Sequence, residues 1–182
     1  MQPVILTYQD YLELPDDNLR YEIHEGQLSV TPAPTPEHKE SSGDLYSAVR
    51  HYVRSRGLGR LYYAPLDVIL SDTTIVQPDL VFLDNSRLGQ ISARGVEGPP
   101  TLVVEILSPS TSRIDRVRKT QLYAQHGVPY YWIVDPRART IEGYRLTGEQ
   151  YEPAGRVAGS EPLALPPFPD LLLDPSSIWT EG

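Results

Sequence analysis

No cysteine occurs among the 182 residues, which removes disulfides, thiolate nucleophiles and Cys-ligated zinc from consideration and fits a reducing compartment. Long apolar runs are also missing, since nothing approaches the roughly 18 residues that a membrane span needs. The N-terminal MQPVILTYQDYLEL lacks the basic n-region and long apolar h-region of a secretory signal, so a soluble, cytoplasmic protein is expected. Positive charge is scarce: 16 Lys and Arg stand against 24 Asp and Glu, a net charge of −8. That balance argues against strong charge-driven adhesion to DNA or to an anionic membrane, because phosphate binding normally gains from cationic side chains releasing counterions.

A nucleic-acid partner would therefore have to be met locally. Two basic stretches could do it, one holding Arg50, His51, Arg54, Arg56 and Arg60, the other Arg113, Arg116, Arg118 and Lys119. Runs of this kind are most often solvated helix faces. Several catalytic signatures are absent too. Gly57-Leu58-Gly59 lacks the third glycine of a dinucleotide loop, and neither GxxxxGK nor GxSxG occurs. The histidines at 24, 38, 51 and 126 show neither HExxH nor zinc-ligand spacing, so surface or cap roles are expected, with His38 able to face a cleft.

What is present suits a single domain over residues 1–182, with 40% hydrophobic and 22% charged residues and 18 prolines to mark loops. Thr7 caps a helix of about two turns that Pro15 ends, and YEIH and QLSV flank Glu25-Gly26 as a hairpin. Thr35-Pro36 opens a long helix whose Leu45, Val49, Tyr52 and Val53 share one face, with Gly57 closing it. RLYYAPLDVILS reads as a strand broken at Pro65, IVQPDLVFLD as a strand carrying Asp79, and SRLGQISARGVEGPP as loop with one helical turn. TLVVEILS is a mid-sheet strand, followed by a helix from about Arg113 to Gln125, the buried strand VPYYWIVDP and a hairpin around Thr147-Gly148. The C-terminal stretch, with Phe168, Leu171, Leu172, Leu173 and Trp179, should pack along the domain. The order implies an α/β fold in which a mixed β-sheet is flanked by helices.

Glu105 is the residue that demands an explanation. An ionised carboxylate within an apolar strand costs many kcal/mol unless it is paired, hydrogen-bonded or bound to a cation. Strand alternation points Val103, Glu105 and Leu107 one way and Leu102, Val104 and Ile106 the other, so Glu105 should border a cleft. Asp79, just after Pro78, poses the same puzzle, and Glu22 in RYEIH is a third acid. Carboxylates on neighbouring strands form a hard-oxygen site that suits magnesium or manganese, which keep several waters and take up phosphate directly. Lys119, fourteen residues after Glu105 with Tyr123 at i+4, can lean toward the same cleft and position or help deprotonate a water. A structural salt bridge is the alternative. Ser108 and Ser110 are better placed to cap the next helix than to touch phosphate, and Tyr130, Tyr131 and Trp132 are better placed as core than as a stacking platform.

From RYEIHEGQL through TPEHKE, VQPDLVF, LVVEILSPST, RKTQLYAQHGVPYYWIVDP and TIEGYRL, the chain resembles the Uma-two family of restriction-endonuclease-like proteins, within the PD-(D/E)XK nuclease superfamily. The resemblance runs from about residue 8 to 180. It implies a restriction-endonuclease-like core with N-terminal and C-terminal β-hairpins, Mg²⁺ (or Mn²⁺) as cofactor, DNA as substrate and a homodimer. By position, Pro78-Asp79 matches the PD and Glu105-Ile106-Leu107 the (D/E)XK motif. Asp79, Glu105 and the Ile106 carbonyl would be metal ligands, with Glu22 at the upstream acidic position. Leu107 departs from the pattern, which puts lysine there; the resemblance assigns that role to Lys119. Two functions follow: a metal-dependent endonuclease in which Arg113, Arg116 or Arg118 grips phosphates, or a catalytically silent nuclease-fold protein acting as a dimeric interaction or weak nucleic-acid-binding module.

Overall fold

The computed structural model describes residues 4–108 and 113–179, without the side chains of residues 113–115. Helix α1 (Tyr8–Tyr11) is a single turn closed by a capping box between Thr7 and Asp10. It is shorter than the two turns expected because none of its residues is buried, and a short helix without tertiary packing does not propagate. Strands β1 (Arg20–His24) and β2 (Gln27–Thr31) form the expected antiparallel hairpin. Its turn places Glu25 and Gly26 at φ 51 and 80, and a Cβ on Gly26 would meet Ile5 Cγ2 at 2.5 Å, so only glycine fits there. Helix α2 (Pro36–Arg56) begins where Thr35 accepts the His38 N–H and ends at Gly57 in the left-handed conformation.

The following chain divides more finely than its sequence suggests. RLYYAPLDVILS supplies two strands, β3 (Gly59–Tyr63) and β4 (Val68–Ser71), and IVQPDLVFLD supplies β5 (Thr74–Val76) and β6 (Leu80–Asp84). Each pair is shared between two separate sheets. The segment read as loop holds a 3₁₀ helix over Asn85–Gln90 and the short strands β7 (Ile91–Ser92) and β8 (Gly95–Glu97); runs of two and three residues are too short to show a period. Then come β9 (Leu102–Ile106), α3 (Arg113–Gln125), β10 (Tyr130–Asp135), the hairpin β11 (Thr140–Thr147) and β12 (Gln150–Val157), the small pair β13 (Leu163–Ala164) and β14 (Leu172–Leu173), and α4 (Pro175–Ile178).

Two six-stranded sheets result, in place of the single one expected: β2-β1-β5-β4-β8-β7 and β12-β11-β10-β9-β6-β3. β9 lies mid-sheet, parallel to β10 across the α3 connection and antiparallel to β6. Its alternation divides the core as expected. Leu102, Val104 and Ile106 pack with Leu45, Val49 and Val53 of α2 and with Phe168 and Trp179 of the C-terminal stretch. Val103 faces Val81, Leu83, Leu122 and Tyr131 instead. Phe168 sits edge-on to Tyr52, Phe82 and Trp132 at ring separations of 5.6, 4.9 and 5.8 Å, each such buried side chain being worth about 1.5–3 kcal/mol. Among the described residues, no helix is long and apolar enough to cross a membrane.

Candidate active site

The two sheets meet where β5 passes into β6 through Gln77, Pro78 and Asp79. Asp79 thus precedes β6 instead of lying within a strand, and its carbonyl accepts the Ala64 N–H at 3.0 Å. The β6–β9 ladder ends on the pair Leu80–Val104, and one antiparallel step further sets Asp79 beside Glu105. The first sheet contributes β1, whose alternation turns Arg20, Glu22 and His24 to the same side. α2 contributes His38 from its first turn, and α3 contributes Lys119 and Tyr123, one turn apart.

These side chains form a continuous, buried network. Lys119 Nζ donates to Glu105 Oε1 at 2.9 Å and lies 3.1 Å from both oxygens of Glu22. Tyr123 Oη donates to Glu105 Oε1 at 2.5 Å. Glu22 also accepts the Gln77 N–H at 2.7 Å, and its Oε2 lies 3.1 Å from His24 Nε2. Asp79 Oδ1 accepts both terminal nitrogens of Arg20 at 3.2 Å, while Oδ2 accepts the Ile106 N–H at 2.7 Å and faces His38 Nε2 at 3.2 Å. Among the described residues, His24 Nδ1 and His38 Nδ1 are buried without a partner. This assigns each ring proton to Nε2, against the carboxylate, because a bare lone pair is cheaper to bury than an orphaned N–H.

Burial and charge set the protonation states. Burial would raise the pKa of Asp79, but the His38 hydrogen bond and the Arg20 charge overcome it and hold the group below its usual range. For Glu22, burial is outweighed by Lys119 and the His24 hydrogen bond, again lowering the pKa. Glu105 goes the other way: burial, reinforced by the Asp79 and Glu22 charges, outweighs Lys119 and raises it. Burial opposes the charge on Lys119, yet Glu105 and Glu22 raise its pKa above that of a free lysine. The shared carboxylates favour the charged form of Lys119, which suits it to orienting a water.

The network lines a cavity of ≈ 50 Å³ bounded by Arg20, Glu22, His38, Asp79, Glu105 and Lys119, and on the same measure one water needs roughly 10–15 Å³. Does the donor set suit a hard divalent ion? Among the described residues, no three Asp, Glu or His side chains form a ready-made coordination set. Magnesium requires only one or two carboxylates, with water and phosphate as the other ligands. Glu105 Oε2 makes no hydrogen bond among the described residues, whereas the acceptor positions of Asp79 are filled. The residues fit such an ion in kind and in room, on the condition that Arg20 releases Asp79 Oδ1.

A family model described as "Uma2: Putative restriction endonuclease" matches residues 8–176. The chain belongs to the Uma2 family. Among solved structures, a "putative nuclease belonging to DUF820 from Anabaena variabilis" shares 22% identity over 96% of this chain and 98% of that one, with a TM-score of 0.79; at that identity the likeness establishes the fold. No curated protein matches.

Of the residues singled out in sequence, Glu22, Asp79, Glu105 and Lys119 come together, and the Ile106 N–H ties β9 to Asp79. Leu107 borders the same cavity, so the lysine comes from α3 while the strand position is apolar. The basic run on α3 diverges. Arg116 lines the cavity and pairs with Glu142, whereas Arg118 donates to the His24 carbonyl and Gln27 and is not among the residues lining the cavity. The Arg113 side chain and Ser110 lie outside the described residues. His24, expected at the surface or at a cap, is buried at 2% exposure, and His38, read as able to face a cleft, lines the cavity at 7% exposure; each satisfies a buried carboxylate. Arg20 escaped the sequence reading; the available signal was its i−2 relation to Glu22 in RYEIH. Tyr131 and Trp132 are core, as read.

Proposed function

We propose that this protein is an endonuclease that hydrolyses phosphodiester bonds of DNA with Mg²⁺ or Mn²⁺. The observation that carries this reading is Lys119, which reaches Glu105 and Glu22 from α3 and so replaces the amine that Leu107 cannot supply. Asp79 and Glu105 would hold the ion, with the Ile106 carbonyl as a further ligand. A divalent ion there supplies Lewis-acid charge to a phosphate oxygen and makes water more acidic. Lys119 stays protonated and orients the attacking water against the phosphorus, Glu22 fixes the Lys119 amine, and Tyr123 keeps the Glu105 carboxylate in place. Arg116, at the rim, meets a flanking phosphate once it leaves Glu142. A homodimer that cuts both strands belongs to the same proposal by resemblance alone, and a cytoplasmic location by the composition of the chain.

The test is nicking of supercoiled plasmid DNA in millimolar Mg²⁺ or Mn²⁺ by freshly purified protein, with EDTA and the Asp79→Ala and Glu105→Ala variants as controls. Cleavage that survives either substitution would overturn the assignment. One observation favours a second reading, a nuclease fold without catalysis: Arg20, His38 and the Ile106 N–H together saturate the Asp79 carboxylate. Calorimetric titration decides between the two, because an absence of heat at millimolar Mg²⁺ and Mn²⁺ leaves only the silent module.

A further inference from the structure

From Leu45 to Leu66 there is no Asp or Glu, in a chain whose net charge is −8. Arg50, His51, Arg54, Arg56 and Arg60 fall within this stretch, on the C-terminal half of α2 and on β3, and all are exposed. Five arginines elsewhere, Arg20, Arg87, Arg94, Arg116 and Arg156, each pair with an acid. Among the described residues, none of the four arginines on this face has an acidic partner within ion-pair distance, so their charge is directed at solvent.

The face is shaped as well as charged. Two grooves of ≈ 490 and ≈ 540 Å³ share Tyr46, Arg50 and Arg54; one runs onto β3 past Arg60, the other along α2 past His51. Tyr46 stands 4.9 Å from the ring of Tyr63, which is 61% exposed, and the Arg50 guanidinium lies 5.9 Å from the Tyr46 ring. Arg50 and Arg54, four residues apart, follow the helix axis at a spacing of about 6 Å. Neighbouring guanidinium forks with an exposed ring beside them are the elements that bind a phosphodiester strand, the forks gripping phosphates and the ring offering a base its face. The large apolar side chains that are exposed, such as Ile5, Leu28, Val30 and Val117, lie on other elements, and only Tyr63 belongs to this face. An anionic membrane surface would need apolar residues to insert beside the charges, so it fits less well.

We infer that the Arg50–Arg54–Arg60 face with Tyr63 is a nucleic-acid-binding surface separate from the acidic cluster. Arg50 is about 18 Å along α2 from His38, and no residue lining its two grooves lines the acidic cavity, so the two areas act as distinct contacts. The choice of nucleic acid over other polyanions rests on the nuclease reading; binding itself does not require that the cluster cut.

The experiment is fluorescence anisotropy with the full chain in EDTA, using a labelled 20-nucleotide single strand and the matching duplex across a salt series. Arg50→Ala/Arg54→Ala should weaken binding roughly tenfold or more and flatten the salt slope by about 1.4 on the single strand and about 1.8 on the duplex. Tyr63→Ala should weaken the single strand more than the duplex. Binding is read in EDTA, so a failure of catalysis leaves this result untouched. Circular dichroism checks that each variant is folded. The inference is overturned if the double variant binds both probes as the wild type does. It is equally overturned if the wild type ignores both probes while binding phosphatidylserine vesicles or polyglutamate.

Discussion

Replacing Lys119 with methionine keeps the length of the side chain and removes its charge, leaving Glu22 and Glu105 buried without their shared cation. In the wild type Nζ lies 2.9 Å from Glu105 and 3.1 Å from Glu22, and breaking a buried pair of this kind costs about 3–5 kcal/mol. For a domain of this size each kcal/mol lowers Tm by roughly 2–4 °C, so a fall of roughly 6–20 °C is expected at pH 7. The loss should depend on pH with a definite sign. Without the amine, at least one acid has a folded pKa above its unfolded value near 4.3. The native state then binds more protons than the unfolded one, and stability declines as pH rises above that value by about 1.4 kcal/mol per pH unit for each proton. Wild-type stability carries only the smaller slope of the raised Glu105 carboxyl, because the raised Lys119 pKa keeps that amine's contribution whole below pH ~10.4 and lets it go only at higher pH. Urea denaturation of both proteins from pH 5 to 8 measures the difference. A loss below about 1 kcal/mol, or one equal at pH 5 and pH 8, would refute the picture of a buried lysine shared by two acids.

Three further outcomes are expected. Arg20→Met frees Asp79 Oδ1 and removes a like charge, so Mn²⁺ affinity measured by calorimetry should rise on the order of tenfold or more; unchanged or weaker binding would contradict competition between the guanidinium and the ion. Acid unfolding followed by fluorescence should show stability present above pH ~4 and lost as pH falls, because Glu22 and Asp79 have lowered folded pKa values, and Glu22→Gln should flatten this limb. Gly59→Ala should destabilise by more than about 1 kcal/mol in urea, since Gly59 has φ 147 and a Cβ there would sit 2.0 Å from the Leu83 carbonyl oxygen.

The elements that the sequence announces are those with a long period or explicit punctuation. Thr35-Pro36 and Gly57 bound α2, Gly127 follows α3, and the apolar run about Glu105 marks a central strand. The acids were legible for an energetic reason, as carboxylates in apolar strands need partners. Their partners were less so. Arg20 and His38 reach Asp79 across 59 and 41 residues, a closeness that no local period encodes. Division into two sheets was hidden for a related cause: Ala64-Pro65 and Gln77-Pro78 look like irregularities within single strands, and only the pairing of each half with a different neighbour turns them into crossings.

The position of Asp79 at one of those crossings governs when the cluster can exist. Arg20 and Glu22 ride on one sheet and Glu105 on the other, so neither layer alone owns a complete set of charges. Until the layers dock, the acids stand apart in water with ordinary chemistry. Assembly of the fold and arming of the cluster are therefore one event, and a partly folded or cleaved chain retains neither half in usable form.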